Sequence, residues 1–333
     1  MEDLNPYLEA DADLKREDLF ESVLEAYSID GKLYCIPNNF YVMTVMGKAS
    51  EVGDTPGWTL DELMALMDSK PEGTEVLEYA TKELILQLSM IYNFDSYIDW
   101  ETGECSFNGE EFIKVLEFAD RFVSEEDYSY SEDGPSTPSK IQDGTLMLMN
   151  TTISSVQEYQ MYSAMFGEPI TMIGYPSSEG NGSGISGANT FAVNARSANK
   201  EAAWEFIKYL LSEEYYADNN IWGFPTVISE YDKVNAEYMK AEYYEDENGN
   251  QVEMSKGSWG WDDFNVELYA ATEEEVAAIT ELINQCDCSY NYDTQLVQII
   301  TEEAAPFFEG QKTAQEVADI IQSRVKMYVN ENR

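Results

Sequence analysis

Tryptophans that lie beside glycine and carboxylate residues are the side chains in this sequence with the clearest chemical use. Trp259, Trp261 and Asp262 fall within one glycine-containing stretch that has no helical period, and Trp222 precedes a Gly-x-Pro bend. Indole rings pack against apolar faces of a ligand, and carboxylates accept hydrogen bonds from hydroxyl groups. We therefore expect these four residues to contact a carbohydrate, and packing into a core is the alternative that the sequence leaves open.

A second polar group follows a short strand near the start of the chain. Asn38, Asn39 and Tyr41 place two amides and a phenol almost in a row. Each amide both donates and accepts hydrogen bonds, which suits the recognition of hydroxyl groups. The three residues are candidates for ligand binding, and an Asn-rich turn without a ligand is the alternative.

Composition removes several kinds of catalytic and metal site. The sequence contains no histidine, so it offers no Ser-His-Asp or Cys-His catalysis and lacks the commonest zinc ligand. Of the four cysteines only Cys286 and Cys288 are close in sequence, at a spacing that fits neither a zinc ribbon nor a redox C-x-x-C. Asp11 and Asp13 lack the glycine and terminal glutamate of a calcium loop, so a solvated linker is the preferred interpretation. We expect no cofactor and no metal.

The charge balance is strongly acidic. Lys and Arg total 19 against 64 Asp and Glu, a formal net charge of −45 over 333 residues. Nucleic acids and anionic lipids are bound by neutralising phosphates with Lys and Arg, so we expect neither as a partner. No stretch approaches the ~20 apolar residues of a membrane span.

The stretch from Ile170 to Tyr216 shows which elements must position these groups. A strand leads into a glycine-rich loop, a second strand follows at Thr190–Val193, and a helix begins after Asn199 with an apolar stripe. The loop contains G-x-G-x-x-G at Gly182–Gly187, but a strand rather than a helix follows it, so a dinucleotide site is not expected. The stripe is made of Ala203, Phe206, Ile207, Leu210 and Leu211.

Further helices are predicted from caps and apolar periodicity. Thr59-x-x-Glu62 and Thr313-x-x-Glu316 are capping boxes, and Thr81–Tyr92 has a helical pattern. Residues 124–140 are polar with two prolines, which predicts an exposed loop. Asn248-Gly249 predicts a hairpin turn.

Several segments together resemble the extracellular solute-binding proteins of sugar ABC transporters, the family that includes the maltose-binding protein. They are D-G-K-L-Y-C-I-P at 30–37, W-T-L-D-E-L at 58–63, V-N-A-R-S-A-N-K-E-A-A-W-E-F at 193–206 and E-E-A-A-P-F-F-E-G-Q-K-T-A-Q-E at 302–316. The resemblance extends over most of the chain.

The resemblance implies an α/β, type II periplasmic-binding-protein-like fold with two lobes joined by a multi-strand hinge. Residues 1–39 with 187–231 would form the first lobe, and residues 40–186 with 232–333 the second. Members of the family have a first stretch of about a hundred residues, and the resemblance implies that this chain begins where that stretch would be ending. We therefore expect an incomplete first lobe, with an exposed sheet edge or apolar face unless a partner covers it.

The resemblance also implies a function. We expect an uncharged sugar or oligosaccharide in a cleft between the lobes, delivery to an ABC transporter permease, and a monomer unless a partner covers the first lobe. The full-length protein would be extracellular and anchored to the cell surface. Around the cleft, the resemblance adds four ligand-binding candidates to those above: Thr151, Thr152, Tyr290 and Asn291.

Two other functions remain open from the sequence. A glycan-acting hydrolase needs only paired carboxylates, for which Asp262 and Asp263 are the candidates. A surface interaction module that binds no small ligand is the other. Released sugar would indicate the hydrolase, and a thermal midpoint that no sugar changes would indicate the module.

Overall fold

The structure is a computed structural model that describes residues 1–129, 134–177, 181–219, 221–261, 263–286, 288–290 and 293–332, without the side chain of Trp261. Its α-helices are α1 Asn5–Ala10, α2 Glu21–Ala26, α3 Ala49–Val52, α4 Leu60–Asp68, α5 Lys82–Ile91, α6 Phe94–Tyr97, α7 Glu110–Ala119, α8 Thr137–Asp143, α9 Val156–Phe166, α10 Lys200–Leu210, α11 Glu213–Asp218, α12 Ile228–Met239, α13 Glu273–Gln285, α14 Thr294–Phe308 and α15 Ala314–Asn332. Its strands are β1 Ser28–Ile29, β2 Lys32–Leu33, β3 Ile36–Lys48, β4 Leu148–Ile153, β5 Ile170–Thr171, β6 Gly184–Phe191, β7 Phe224–Pro225, β8 Tyr243–Glu245, β9 Gln251–Glu253, β10 Gly257–Trp261, β11 Phe264–Leu268 and β12 Cys288–Ser289.

One mixed sheet organises these elements, and β3 is its central strand. The strand order is β12-β6-β3-β4, and β5 and β7 each add a short pairing to β3. β3 pairs antiparallel with β4, β5, β6 and β7, whereas β12 runs parallel to β6. Helices pack on the sheet, which gives the expected α/β architecture. In the described part of the chain, no helix has both the length and the apolar character needed to cross a membrane.

Three hydrophobic cores lie along β3. The first core packs α5, α7, α14 and α15 against one face of the sheet. The second packs α9 and α13 against the other face and includes Phe40, Val42 and Ile153. The buried residues of the third lie between Leu4 and Ile36 and between Val193 and Val227, and Phe191 packs against them. The second core also contains Phe20 and Tyr231, so the ranges assigned to the two lobes share a core.

The local predictions are confirmed in most places. Thr59 caps α4 with a complete capping box, and Thr81 caps α5. A strand is present where one was predicted, but it begins earlier than Thr190: β6 spans Gly184–Phe191 and includes Gly184 and Gly187 of the glycine-rich segment. The Asn-Gly hairpin is formed by β8 and β9. Beyond Ile185, the neighbour of β6 among the described strands is β3 alone.

Two local predictions are wrong. Phe206 does not join the buried stripe of α10; it is exposed, and Trp204 is buried in its place. Trp204 is drawn inward because its Nε1 donates to the buried Asp11 carboxylate at 3.0 Å. The predicted loop at residues 124–140 ends too late, because Ser136 caps α8 with its side chain and the helix begins at Thr137.

Candidate functional site

Strand alternation places a polar patch at the centre of the sheet. Tyr41 and Met43 lie on one face of β3, and Thr152 of β4 pairs directly with Met43. Asn150 pairs with Val45 and so shares this face. Thr152 Oγ1 lies 3.0 Å from Met43 Sδ. The side chains of Tyr41, Met43, Asn150 and Thr152 are all partly exposed, whereas Val45 is buried, so the four form a floor beside the first core.

Tyr290 lies on the same face because Gly184 has no side chain. Gly184 pairs with Met43, and a Cβ atom at Gly184 would come within 3.0 Å of the Tyr290 backbone nitrogen. The Tyr290 backbone N–H donates to the Ile185 carbonyl at 2.8 Å, which fixes the segment there. The Tyr290 ring lies 5.3 Å, edge to face, from that of Tyr92.

Tyr92 contacts both Tyr290 and Asn150 and so connects them. The Tyr92 hydroxyl donates to Asn150 Oδ1 at 2.9 Å. Burial raises the pKa of Tyr92 well above its ordinary value, so the phenol stays protonated and remains a donor. Asn150 is thereby held with its amide toward the partly exposed face.

Trp222 completes the site from a distant part of the sequence. Its ring centroid lies 5.1 Å from that of Tyr41, with the planes inclined at 49°. Asn39 Nδ2 donates to the Trp222 carbonyl. The next residue, Gly223, has φ +98°, and a Cβ atom there would lie 2.6 Å from the Phe40 carbonyl oxygen. The bend therefore requires glycine, and it leaves Trp222 58% exposed.

We call this set of side chains the front cluster. Its members are Tyr41, Met43, Asn150, Thr152, Trp222 and Tyr290. They supply three aromatic rings, one amide, one thioether, the Thr152 hydroxyl and two phenol hydroxyls, and none of the six carries a charge. This chemistry suits a neutral ligand that has both apolar faces and hydrogen-bonding groups.

The two predicted asparagines lie behind the front cluster. Asn38 is 1% exposed and Asn39 is 2% exposed, so neither side chain reaches solvent in this conformation. Asn39 binds the Trp222 carbonyl with its nitrogen, and its Oδ1 accepts from Asn189 Nδ2 at 3.4 Å. Its observed contacts position Trp222 and offer no free group to a ligand.

The remaining predicted residues lie outside the front cluster. Thr151 faces the opposite side of the sheet, where its hydroxyl bonds that of Tyr162. Trp259 and Trp222 together line a groove of about 620 Å³, which we call the back groove. The back groove also contains Tyr238 and lies on the side of the second core, so Trp222 borders both the front cluster and the back groove. Asp262 and Asn291 fall outside the described residues, as does the side chain of Trp261.

Of the two carboxylates considered for hydrolysis, Asp263 is the one that lies within the described residues. Asp263 accepts hydrogen bonds from Ser136 and Ser139, and these lower its pKa below the ordinary value. A general acid needs a raised pKa, so Asp263 is poorly suited to that role. Its proposed partner, Asp262, lies outside the described residues. Within the described ranges, no three acidic or cysteine side chains are grouped as a metal site would need.

Sequence reasoning missed Met43, Asn150 and Tyr92. The first two could have been found, because each lies two residues from a candidate, Tyr41 or Thr152, and therefore on the same face of its strand. Tyr92 has no such signal. Its contact with Asn150 joins residues 58 positions apart, and it depends on how α5 packs across the sheet.

The chain has the type II periplasmic-binding-protein fold. The family of bacterial extracellular solute-binding proteins matches residues 1–246, and the chain belongs to this family. No curated protein matches the chain in sequence.

Solved structures share this fold at low sequence identity. The sugar-binding protein MalE from Xanthomonas citri is 17% identical with a TM-score of 0.59, covering 100% of this chain and 80% of its own. A periplasmic oligogalacturonide-binding protein from Yersinia enterocolitica is 15% identical with a TM-score of 0.58, covering 95% and 77%. An ABC substrate-binding protein from Listeria monocytogenes, in complex with cycloalternan, is 16% identical with a TM-score of 0.52, covering 99% and 80%.

Proposed function

We propose that the protein binds an uncharged sugar or oligosaccharide at the front cluster, as the solute-binding component of an ABC importer. One observation carries this proposal. The Trp222 ring packs on Tyr41 and is largely exposed, and Tyr290 lies beside the Gly184–Met43 pair on the same face of the sheet, so three aromatic rings border neutral hydrogen-bonding groups. Large exposed rings grouped at one place usually indicate a binding surface.

The ligand class follows from the chemistry of the front cluster. Aromatic packing contributes about 0.5–1.5 kcal/mol per ring beyond the burial of area, and three rings are present. Asn150 and Thr152 can both donate and accept, as sugar hydroxyls require. The net charge of −45 disfavours anionic ligands. An uncharged carbohydrate satisfies all three conditions.

The transport role rests on the family and its structural relatives. Two of the similar structures are named for binding a sugar or an oligogalacturonide, and a third holds cycloalternan. We propose that residues 1–39 with 187–231 and residues 40–186 with 232–333 form two lobes that close on the ligand by a hinge motion. An ABC transporter permease would receive the sugar outside the cell, where the protein would be held at the cell surface.

Isothermal titration calorimetry against a panel of neutral oligosaccharides tests the proposal. We expect saturable binding to at least one sugar, and loss of that binding in Tyr290→Ala. Tyr244→Ala is the matched control, because Tyr244 is an exposed tyrosine on β8 and not part of the front cluster. Equal affinity in the two variants would place the ligand elsewhere. Sugar release would favour the hydrolase, and a panel without any heat of binding would favour the interaction module.

A further inference from the structure

The place where β7 meets β3 buries polar side chains that lack protein partners. Asn38 is 1% exposed and Thr226 is 0% exposed. Among the described residues, Asn38 Nδ2, Asn38 Oδ1 and Thr226 Oγ1 have no hydrogen-bond partner, and neither does the Oγ of the buried Ser22. Most buried polar groups in proteins are hydrogen-bonded, either to protein or to ordered water. Several orphan groups in one region therefore need a common explanation.

Backbone pairing brings the orphan groups together. Asn39 pairs with Pro225 and Phe40 with Phe224, so Asn38 lies opposite Thr226. The Thr226 N–H donates to the Asn38 carbonyl at 3.1 Å, which confirms this register. Residues opposite each other on antiparallel strands have Cβ atoms about 5 Å apart on the same face of the sheet. The Asn38 and Thr226 side chains are therefore neighbours.

The α2 segment enters the same junction. The Phe20 N–H donates to the Thr226 carbonyl at 3.2 Å, and Ser22 follows two residues later. Tyr216 adds a hydroxyl that donates to the Asn38 carbonyl. Four parts of the chain thus meet at one buried polar spot, and we call this spot the junction.

The chemistry of the orphan atoms selects the ligand. Both ends of the Asn38 amide lack a partner, so exchanging its nitrogen and oxygen satisfies neither end. The amide offers donors and an acceptor, and the Thr226 hydroxyl can act as either. A ligand must therefore donate and accept at once, and it must fit where both side chains are almost fully excluded from solvent. Water meets these requirements, and a buried water typically makes about three such bonds.

We propose that the junction binds an internal water molecule, held by the side chains of Asn38 and Thr226. The Asn38 amide suits hydrogen bonding to hydroxyl groups, and in this assignment the molecule that it binds is water. It also gives the water a structural role. Asn38 adjoins Asn39, which holds the Trp222 carbonyl, and Thr226 ends the short segment that carries Trp222. Asn38 and Thr226 are then positioning residues for the front cluster.

The direction in which the thermal midpoint changes in Thr226→Val tests this inference. With a bound water, Thr226→Val removes a satisfied hydrogen bond, and we expect its thermal midpoint to fall by about 2 °C or more. At a dry site, the same change removes an unsatisfied buried hydroxyl, and the midpoint should rise. Thr44→Val is the matched control, because Thr44 is equally buried and its Oγ1 lies 2.7 Å from Ser183 Oγ. We expect both variants to lose stability.

A high-resolution crystal structure of the unliganded protein provides the direct measurement. We expect a water peak within about 3.2 Å of both Thr226 Oγ1 and a polar atom of the Asn38 side chain. The inference is overturned if the site is empty, or if Thr226→Val leaves the midpoint unchanged or raises it while Thr44→Val lowers it. Neither measurement requires a sugar, so both can be interpreted even if the protein binds no sugar.

Discussion

Replacing Gly223 by alanine should destabilise the protein more than replacing a glycine of similar backbone conformation. Gly223 has φ +98°, and Gly249, at the tip of the β8–β9 hairpin, has φ +82°. An L-residue at such a φ costs about 1–3 kcal/mol, offset by about 0.4–1 kcal/mol from the stiffer unfolded chain. We therefore expect Gly249→Ala to cost about 1 kcal/mol, since its new Cβ would have no atom nearer than 3.9 Å.

Gly223→Ala carries a further penalty. Its Cβ would lie 2.6 Å from the Phe40 carbonyl oxygen, and that atom belongs to the central strand β3. Forcing extra volume into a packed site typically costs about 1–3 kcal/mol more, so we expect a total near 3 kcal/mol. The displaced bend should also move Trp222 away from Tyr41 and weaken sugar binding, which Gly249→Ala should leave unchanged.

Equilibrium urea unfolding followed by far-ultraviolet circular dichroism measures both costs, and calorimetric titration measures affinity. Equal unfolding free energies for the two variants would refute the close approach of Gly223 to β3. Normal sugar affinity in a destabilised Gly223→Ala protein would refute the role of the bend in positioning Trp222. The two results test separate steps, because stability reports the backbone contact and affinity reports the ring.

Two further predictions concern stability alone. Thr59→Ala removes the capping box that Thr59 forms with Glu62, and should cost about 1 kcal/mol in urea unfolding; a cost near zero would contradict the capping role. Burial tends to raise the pKa of Asp11, but hydrogen bonds from Lys208 and Trp204 outweigh burial and lower it. The stabilisation is therefore present above about pH 4, the pKa of an unfolded Asp, and is lost as the pH falls toward the folded pKa. Asp11→Asn should cost about 3 kcal/mol at pH 7, and unfolding series at decreasing pH should show this difference shrinking below pH ~4; a constant difference would contradict the reasoning.

The parts of the fold that could be predicted are those that depend on a few consecutive residues. The Thr59 cap and the Asn248-Gly249 turn each depend on backbone geometry within one segment. Phe206 is a residue whose burial could not be predicted from its own segment. Its spacing fits the stripe of α10, but the position of that helix is set by Asp11, which binds both Trp204 and Lys208 from the other end of the chain.

The candidate site was predictable in its residue types but not in its grouping. Trp222 and Tyr290 are ring residues in irregular segments and Trp259 lies in β10, and sequence reasoning selected all three as ligand contacts. Only the register of β3 with β4, β6 and β7 shows that Trp222 and Tyr290 converge on Tyr41 and Met43. Trp259 belongs to a hairpin that packs near α9 and lines the back groove, on the other side of the sheet.

An irregularity in β3 explains why Asn38, Asn39 and Tyr41 do not act as one row. The pairing of β3 with β6 shifts register on both sides of Asn39. A bulge of this kind re-aims the side chains that precede it relative to those that follow. Asn38 is thereby left against Thr226, Asn39 turns toward Trp222 and Asn189, and Tyr41 faces the ligand side with Met43. Three neighbouring polar residues thus have three different sets of contacts. A register shift of one residue in β3 would exchange the faces on which Tyr41 and Val42 lie, and it would abolish the front cluster.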